Sequence, residues 1–387
     1  MRRVYLDNNA TTPVLPEVLE AMLPYFAGHS GNASSIHHHG QEARSAVERA
    51  REAVAVLLAC RPSEVVFTSG GTEADNLAVF GLTKPGDHVI TSTIEHHAVL
   101  NACNRLMDSG CEVTFIPVDG QGLVDPADVK RAIRPNTKLI TIMWANNETG
   151  VLQAVSEIGK VAAEADVYFH TDAVQAAGKI PVDVSGIGCD LLTISGHKLH
   201  GPQGVGALYV RKGTQLAPML YGGKHERSRR AGTENVPGIV GLGKAAELAI
   251  AGFERGEDKK IAEARDRLER ALLELEATGV NGAGAQRVPN TSNVFFDGTE
   301  GESLVIALDL KGLAVSTGAA CSSGAIEPSH VLIAMGVPPE RAKASLRFSL
   351  GKQNTAEDVD FALGLVPKTV ARLRELSPVW PKSVVSH

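Results

Sequence analysis

The sequence predicts an α/β protein in which a large domain on a mostly parallel sheet precedes a smaller α+β domain. Two observations carry this prediction. Short apolar or β-branched runs alternate with helical patterns over residues 40–210, and the composition becomes charged and helical from about Phe253. The 387 residues, 43% of them hydrophobic, exceed the usual size of one domain. We place the large domain at 15–252 and the small domain at 253–387, with 1–14 packing on the latter.

The elements of the large domain follow in order. Residues 40–58 place apolar side chains at alternating spacings of three and four, with Glu48, Arg49, Arg51 and Glu52 between them, which predicts an amphipathic helix. The predicted strands are 64–68, 88–94, 138–144, 166–170, 190–194 and 205–210. Because helical patterns separate most of them, they are typical of a parallel sheet.

The second domain begins with a charged helix and contains a strand and a long final helix. The apolar face of the charged helix consists of Ile261, Ala264, Leu268, Ala271, Leu272 and Leu275. Residues 345–350 alternate between polar and apolar, which predicts a half-buried strand, and residues 355–358 resemble a capping box that opens the last helix.

Charge and cysteine content narrow the function. With 38 Lys and Arg against 44 Asp and Glu, the net charge of -6 gives no electrostatic case for nucleic-acid binding. We find no signal-like start and no unbroken apolar run that could cross a bilayer, and expect a cytoplasmic protein without membrane contact. Five cysteines without a C-x-x-C pair predict neither a disulfide framework nor a zinc knuckle.

Polar and glycine-rich clusters follow five of the predicted strands directly. They are residues 69–72, 95–97, 146–148, 172–175 and 195–198. The carboxyl ends of strands form the binding crevice of an open α/β sheet. Five strand ends therefore point polar side chains toward one place.

Three of these clusters carry complementary chemistry. Gly71 and Thr72 stand between a strand and a helix, where amides, a hydroxyl and the helix start could hold a phosphate; an ordinary capped turn is the alternative. Lys198 follows an apolar run, and partial removal from water would favour the neutral amine that forms Schiff bases; a solvated lysine is the alternative. Together with the Asp172 carboxylate, which could pair with a pyridinium nitrogen, these groups equip a pyridoxal phosphate site.

Two histidine clusters have different interpretations. His96 or His97 could lie over a planar cofactor and move protons near neutral pH, although a helix-start histidine without catalytic duty is equally compatible. Residues 37–39 are three adjacent histidines whose side chains point in different directions. Because no acid or thiol cluster completes a ligand set, we predict no metal site.

Two further residues could be reactive or bind substrate. Cys321 lies among small residues that favour a mobile, accessible loop, whereas the other four cysteines lie in or beside apolar patterns. We interpret it as a reactive thiol, with a tolerated surface cysteine as the alternative. Arg347 emerges opposite Leu346 and Phe348 and could bind a carboxylate; a solvated edge-strand arginine is the alternative.

Taken together, these residues resemble the cysteine desulfurases, fold-type I pyridoxal phosphate enzymes that supply sulfur for iron-sulfur clusters. The matching segments are residues 5–13, 68–73, 146–148, 172–175, 195–198, 230–235, 321 and 347–351. The loop around Cys321 is similar to that of the long-loop class, which includes nitrogen-fixation and housekeeping cluster-assembly enzymes. The pair Asn8-Asn9 and Gly71 depart from the family pattern, and we expect neither departure to touch the chemistry.

The resemblance implies a role for each matching residue. Lys198 would bind pyridoxal 5'-phosphate as a Schiff base and act as acid and base at the substrate α-carbon. Asp172 would keep the pyridine nitrogen protonated, and His96 would stack on the ring and assist proton movement. The remaining contacts would be Gln175 and Asn147 with the phenolic oxygen and substrate region, Gly71, Thr72, Ser195 and His197 with the phosphate, and Arg347 with the substrate carboxylate.

The resemblance also implies the reaction and the partners. The Cys321 thiolate would take sulfur from L-cysteine as a persulfide, leave L-alanine, and pass the sulfur to an acceptor protein such as an iron-sulfur scaffold or a sulfur carrier. Thr233 would reach the site of a second subunit, which implies a homodimer. A selenocysteine lyase or an aminotransferase on the same scaffold would share Lys198 and Asp172 without needing Cys321. An inactive scaffold for sulfur-carrier partners would need none of them.

Overall fold

The computed structural model describes residues 2–318, 327–378 and 380–381. The strands of these residues are β1 (Val4–Tyr5), β2 (Val65–Thr68), β3 (His88–Ser92), β4 (Glu112–Ile116), β5 (Thr137–Thr141), β6 (Tyr168–Asp172), β7 (Leu191–Ser195), β8 (Gly206–Val210), β9 (Thr278–Val280), β10 (Thr291–Phe296), β11 (Leu313–Ala314) and β12 (Ser345–Ser349).

The α-helices are α1 (Pro16–Met22), α2 (Pro24–Ala27), α3 (His38–Leu58), α4 (Gly71–Leu82), α5 (His97–Asp108), α6 (Pro126–Ala132), α7 (Val155–Glu164), α8 (Val184–Ile187), α9 (Val236–Glu254), α10 (Glu257–Leu272), α11 (Gly301–Asp309), α12 (His330–Ala334), α13 (Pro339–Lys343) and α14 (Ala356–Leu376). Short 3-10 helices cover Pro62–Glu64, Gly196–Lys198 and Glu226–Ser228.

The largest sheet has seven strands in the order β2-β8-β7-β6-β5-β3-β4. Strands β3 to β7 run parallel, and β8 is antiparallel to both of its neighbours. The six predicted strands all belong to this sheet, which confirms the predicted α/β class. The sequence missed β4 because this edge strand is only partly buried and lacks a continuous apolar run.

Helices α3 and α9 pack together on one side of this sheet. The predicted helix over 40–58 is α3, and it ends at Ala59 in the left-handed conformation. Arg51 differs from its predicted place on the polar face, because its side chain is buried. By length and composition alone α9 could cross a membrane, but it packs against α1 and α3, as core helices with the same composition do.

A second antiparallel sheet has the order β12-β10-β9 and packs against α10, α11 and α14. The predicted capping box is present, with Thr355 and Asp358 at the start of α14. The N-terminal strand β1 pairs with β11, and Val4 and Leu6 join the core that contains Leu346. The division of the chain at 252/253 stays a prediction.

Strand β12 corrects one expectation, because all five of its residues are buried rather than half-buried. Leu346 and Phe348 belong to the apolar core on one face. The N-terminal segment covers the polar face: the Asn9 amide donates to Ser349 Oγ at 2.9 Å, and Arg347 pairs with Asp7. The alternating pattern predicts exposure only when nothing distant in sequence covers the polar side.

Candidate active site

A cavity of about 390 Å³ lies at the carboxyl ends of the parallel strands, where ligands bind in open α/β sheets. Most of the predicted site residues line it: Gly71, Thr72, His96, Asn147, Asp172, Gln175, Ser195, His197, Lys198 and Arg347. Thr233 is exposed and does not line the cavity of its own chain. Cys321 lies outside the described residues.

Lys198 lies in the short turn that follows the fully buried strand β7. Its Nζ donates to the carbonyl oxygens of Asn9 and Ala10, each at 2.6 Å. Burial and the nearby Arg347 guanidinium lower the pKa of Lys198 to about 8, against the opposite effect of Asp7 and Asp172. A substantial fraction of this amine is therefore neutral and nucleophilic near physiological pH.

Asp172 is the last residue of β6, and its Oδ1 accepts from the Val174 amide at 2.8 Å. Burial raises the pKa of Asp172 to about 6, although the Val174 hydrogen bond and the Lys198 charge lower it. Its neighbour Asp75 is also fully buried, and burial together with the Asp172 charge raises the pKa of Asp75 well above its usual value. The pKa shifts of this pair favour the proton on Asp75 and the negative charge on Asp172.

His96 is the N-cap of α5, and its Nδ1 accepts from the Ala98 amide at 3.1 Å. Burial and the Lys198 charge lower the pKa of His96 to about 4, although part of the ring remains accessible through the cavity. The ring is thus neutral, with its proton on Nε2 because Nδ1 is the acceptor. A neutral imidazole of this kind can stack on a planar group and donate one hydrogen bond.

The start of α4 forms an anion-binding end of the cavity. Gly70 has φ 156° and ψ -176°, a backbone conformation restricted to glycine, and it turns the chain from β2 into the helix. Since α4 begins at Gly71, its first N–H groups have no partner within the helix and favour negative charge. The Thr72, Ser195 and His197 side chains line the same cavity.

At Gly71, which departs from the family pattern, the structure shows little room for a side chain. A Cβ at this position would lie 3.0 Å from Val174 Cγ2, closer than ordinary contact. The cavity wall would have to shift to accept alanine. The departure thus concerns local packing and leaves the helix start available to a ligand.

Arg347 lines the cavity and keeps N–H donors that have no partner among the described residues. Its two terminal nitrogens donate to Asp7 Oδ1 at 2.7 Å and to the Asn147 carbonyl at 2.8 Å. Its buried Nε has no hydrogen-bond partner among the described residues. An unpartnered donor on a buried guanidinium is suited to a carboxylate ligand, because charged donors favour anionic acceptors.

Asn9 lines the cavity, while the expectation that the Asn8-Asn9 departure does not touch the chemistry stays a prediction. The Asn9 carbonyl oxygen accepts from Lys198 Nζ and, at 3.0 Å, from Gln175 Nε2. Residue type could not predict this role, because the contact uses a backbone oxygen. The one available signal was that the motif over residues 5–13 belongs to the family pattern.

Sequence reasoning also missed two buried carboxyl groups beside the cavity. Glu95 accepts from Ser92 Oγ at 2.6 Å and from the Met143 amide, and burial raises the pKa of Glu95 to about 8. Glu148 accepts from Ser329 Oγ at 2.5 Å, and burial raises its pKa as well. Glu95 and Glu148 belong to the polar clusters 95–97 and 146–148, in which the sequence interpretation considered only the histidines and Asn147.

The remaining cysteines agree with the contrast drawn from the sequence. Cys103, Cys111 and Cys189 are buried, Cys60 is partly exposed, and all four are free thiols. Burial raises the pKa of Cys60, Cys103 and Cys189 to about 12, which keeps them protonated and unreactive. Among the described residues, no group of three or more His, Cys, Asp or Glu side chains could hold a metal ion.

The donor set of the cavity fits pyridoxal phosphate. The Lys198 amine suits the aldehyde, and the ionised Asp172 suits a protonated ring nitrogen. The start of α4 suits the phosphate, and the neutral ring of His96 suits a planar face.

Comparison with known proteins agrees with this geometry. Residues 4–361 match the family model described as aminotransferase class-V. The cysteine desulfurase IscS of Methanosarcina thermophila is 52% identical over 385 residues, which cover 98% of this chain and 95% of that protein.

Two solved structures have the same fold. A NifS-like protein superposes with a TM-score of 0.89 and 37% identity over 96% of this chain and 100% of its own. SspA in complex with cysteine gives a TM-score of 0.78 and 37% identity over 91% of this chain and 99% of its own. The chain therefore belongs to the class-V aminotransferase family and, within it, to the cysteine desulfurases.

Proposed function

We propose that this protein uses pyridoxal 5'-phosphate to convert L-cysteine to L-alanine and takes the sulfur on Cys321 as a persulfide. One observation carries the proposal: a single cavity is lined by Lys198, Asp172 and Arg347, which supply an amine, a carboxylate and a guanidinium. The first two suit the cofactor, and the third suits the carboxylate of an amino-acid substrate.

Each residue has a distinct task in this proposal. The bound cofactor would supply an electron sink that weakens the bonds at the substrate α-carbon. Lys198 would release the cofactor to the substrate and then move the α-proton, which its pKa of about 8 suits. Arg347 and Asn147 would orient the substrate.

The position of Gly318 supports the assignment of Cys321 as sulfur acceptor. Gly318 lines the cavity, and three peptide units keep the Cα atoms of Gly318 and Cys321 within about 11 Å of each other. In the transfer step the thiolate would attack the substrate sulfur, so that an S–S bond forms as the C–S bond breaks. The electron pair of the broken bond stays with the substrate carbon, and protonation gives alanine.

Cys321→Ser should reduce alanine formation without added thiol to the background level, because serine cannot accept the substrate sulfur. The measurement is alanine released from L-cysteine, together with mass-spectrometric mapping of one added sulfur atom on Cys321 in the unsubstituted protein. Cys60→Ser is the matched control and should leave turnover unchanged, because this thiol stays protonated. Full alanine production by the Cys321 variant would favour a selenocysteine lyase or another lyase on this scaffold.

The attachment of cofactor to the apoprotein should become faster as the pH rises through about 8, where half of the Lys198 amine is neutral, and should level off about one unit higher. The attacking species is the neutral Lys198 amine, and its lowered pKa places that plateau more than two units below that of an ordinary lysine. The rate of appearance of the visible Schiff-base band after mixing with pyridoxal phosphate measures this. A rate that kept rising toward pH 10.5, the usual lysine value, would contradict the burial effect.

We also propose a homodimer whose sites are shared through Thr233. Exposed apolar side chains on α1, on α2 and between them, namely Leu19, Phe26 and Leu23, support an interface on that side. Mixing Lys198→Ala and Thr233→Ala subunits after unfolding and refolding should restore about a quarter of the wild-type activity, because half of the dimers then hold one intact site. No recovery beyond that of the separate variants would show that the sites are not shared.

The persulfide would pass to an acceptor protein, such as an iron-sulfur scaffold or a sulfur carrier, and we place this reaction in the cytoplasm. The four free thiols of the described residues support a reducing compartment. Incubation with L-cysteine and each purified acceptor, followed by mass measurement of the acceptor, identifies the route.

A further inference from the structure

Lys179 lies behind Asn9 and Gln175, two residues that line the cavity, and the proposed reaction has no role for it. Its Nζ donates to Asn9 Oδ1 at 2.9 Å and to Gln175 Oε1. It forms no ion pair within the described part of the chain, and burial together with the Lys198 and Arg347 charges lowers the pKa of Lys179 well below its usual value. A lysine held among amide oxygens beside a second active-site lysine requires an explanation.

The hydrogen bonds determine which way the two amides face. Asn9 Nδ2 donates to the Asn147 carbonyl at 3.2 Å, and a carbonyl can only accept, so Asn9 Oδ1 must face Lys179. Gln175 Nε2 likewise donates to the Asn9 carbonyl, so Gln175 Oε1 must face Lys179. The neutral amine has two N–H groups and the ammonium has three, so Lys179 can make both bonds in either protonation state.

This arrangement restricts what Gln175 can offer to a ligand. Its oxygen is occupied by Lys179, and one of its two N–H groups is occupied by the Asn9 carbonyl. The second N–H remains, and Gln175 lines the cavity. Without Lys179 the amide could rotate and present its oxygen to the cavity, which would repel an anionic ligand oxygen.

We infer that Lys179 is a positioning residue that holds the Gln175 amide with an N–H donor available to an acceptor oxygen in the cavity. The inference rests on the proposed function, in which that acceptor is the phenolic oxygen of pyridoxal phosphate. Lys179 also braces Asn9, whose backbone oxygen receives the Lys198 amine. It therefore acts through its neighbours rather than by touching the cofactor.

The test compares Lys179→Met, which removes the donors, with Lys179→Arg, which retains N–H donors. Cofactor affinity of each apoprotein and the absorbance spectrum of the bound cofactor at fixed pH are measured. Lys179→Met should weaken pyridoxal phosphate binding about tenfold, the usual effect of losing a hydrogen bond to a charged group, and should shift the spectrum. Lys179→Arg should keep most of the affinity.

Lys352→Met is the matched control. Lys352 lies at the same side of the site, donates to the Leu248 carbonyl at 3.0 Å and pairs with Glu257, but does not contact Gln175. It should lose stability without a change in cofactor affinity or spectrum. A Lys179→Met protein that likewise only loses stability would overturn the inference.

A double-variant cycle distinguishes an effect of Lys179 that acts through Gln175 from an effect that does not depend on Gln175. On a Gln175→Ala background, Lys179→Met should add less than half of the logarithmic loss in affinity that it causes alone. An undiminished additional loss would overturn the inference, and the cycle still decides the question if Lys179→Met folds poorly, because Lys179→Leu also lacks N–H donors and can replace it. Failure of the unsubstituted protein to bind pyridoxal phosphate at all would refute the proposed function itself, and the two failures are therefore distinguishable.

Discussion

Lys198→Ala should reduce alanine formation from L-cysteine by about 10⁴-fold or more, the upper range for loss of a positioned acid-base group. The variant loses both the covalent anchor of the cofactor and the proton carrier at the substrate α-carbon. The other cavity-lining side chains remain, so cofactor binding should be weakened rather than abolished. Alanine released per enzyme molecule measures the effect, and borohydride treatment should fix cofactor only on the unsubstituted chain.

Lys198→Arg is the control for charge. Arginine can replace the hydrogen bonds to the Asn9 and Ala10 carbonyls, but it remains protonated and cannot supply a neutral amine. It should be as inactive as the alanine variant while retaining the fold by circular dichroism. Turnover above a tenth of the wild-type rate in either variant would remove Lys198 from the chemistry.

Glu226→Gln should lower the free energy of unfolding by about 3–5 kcal/mol, the usual cost of breaking a buried ion pair from one side. Both side chains of the Arg51–Glu226 pair are 4% exposed, and two bonds of 2.7 Å join them. Glu226 also accepts a hydrogen bond from the backbone amide of Phe67 in β2, the strand that precedes Gly70. Equilibrium urea unfolding measures the loss.

The double variant Arg51→Met with Glu226→Leu tests the reason for that loss. If the cost comes from leaving Arg51 charged and unpaired, removing both charges should recover most of the stability. A double variant as unstable as Glu226→Gln would instead attribute the loss to the turn itself. That turn holds Glu226, Arg227 and Ser228 at positive φ.

The sequence was sufficient where the relevant pattern is local. The five polar clusters were assigned to one crevice because parallel strands place their carboxyl ends along one edge, and the cavity contains residues from all five. The helix pattern of 40–58 and the capping box at Thr355 are local in the same way and were predicted correctly.

The sequence was insufficient where a distant segment decides the environment. Arg51 looked solvent-exposed because its partner Glu226 lies 175 residues away. Strand β12 looked half-buried because the segment that covers it begins at the opposite end of the chain. The Asn9 carbonyl oxygen accepts from Lys198, and Lys179 donates to the Asn9 side-chain oxygen. Residue type and spacing do not predict such contacts.

The contacts of Asn9 set the moment during synthesis at which a functional site can exist. Its side chain is hydrogen-bonded to Asn290 and Thr291, which the ribosome adds 281 and 282 residues later. A nascent chain that has completed the seven-stranded sheet already carries the reactive amine but still lacks the residues that hold the Asn9 side chain. Cofactor binding and catalysis therefore require that synthesis has passed residue 291. A chain truncated after α9 should not form an active enzyme.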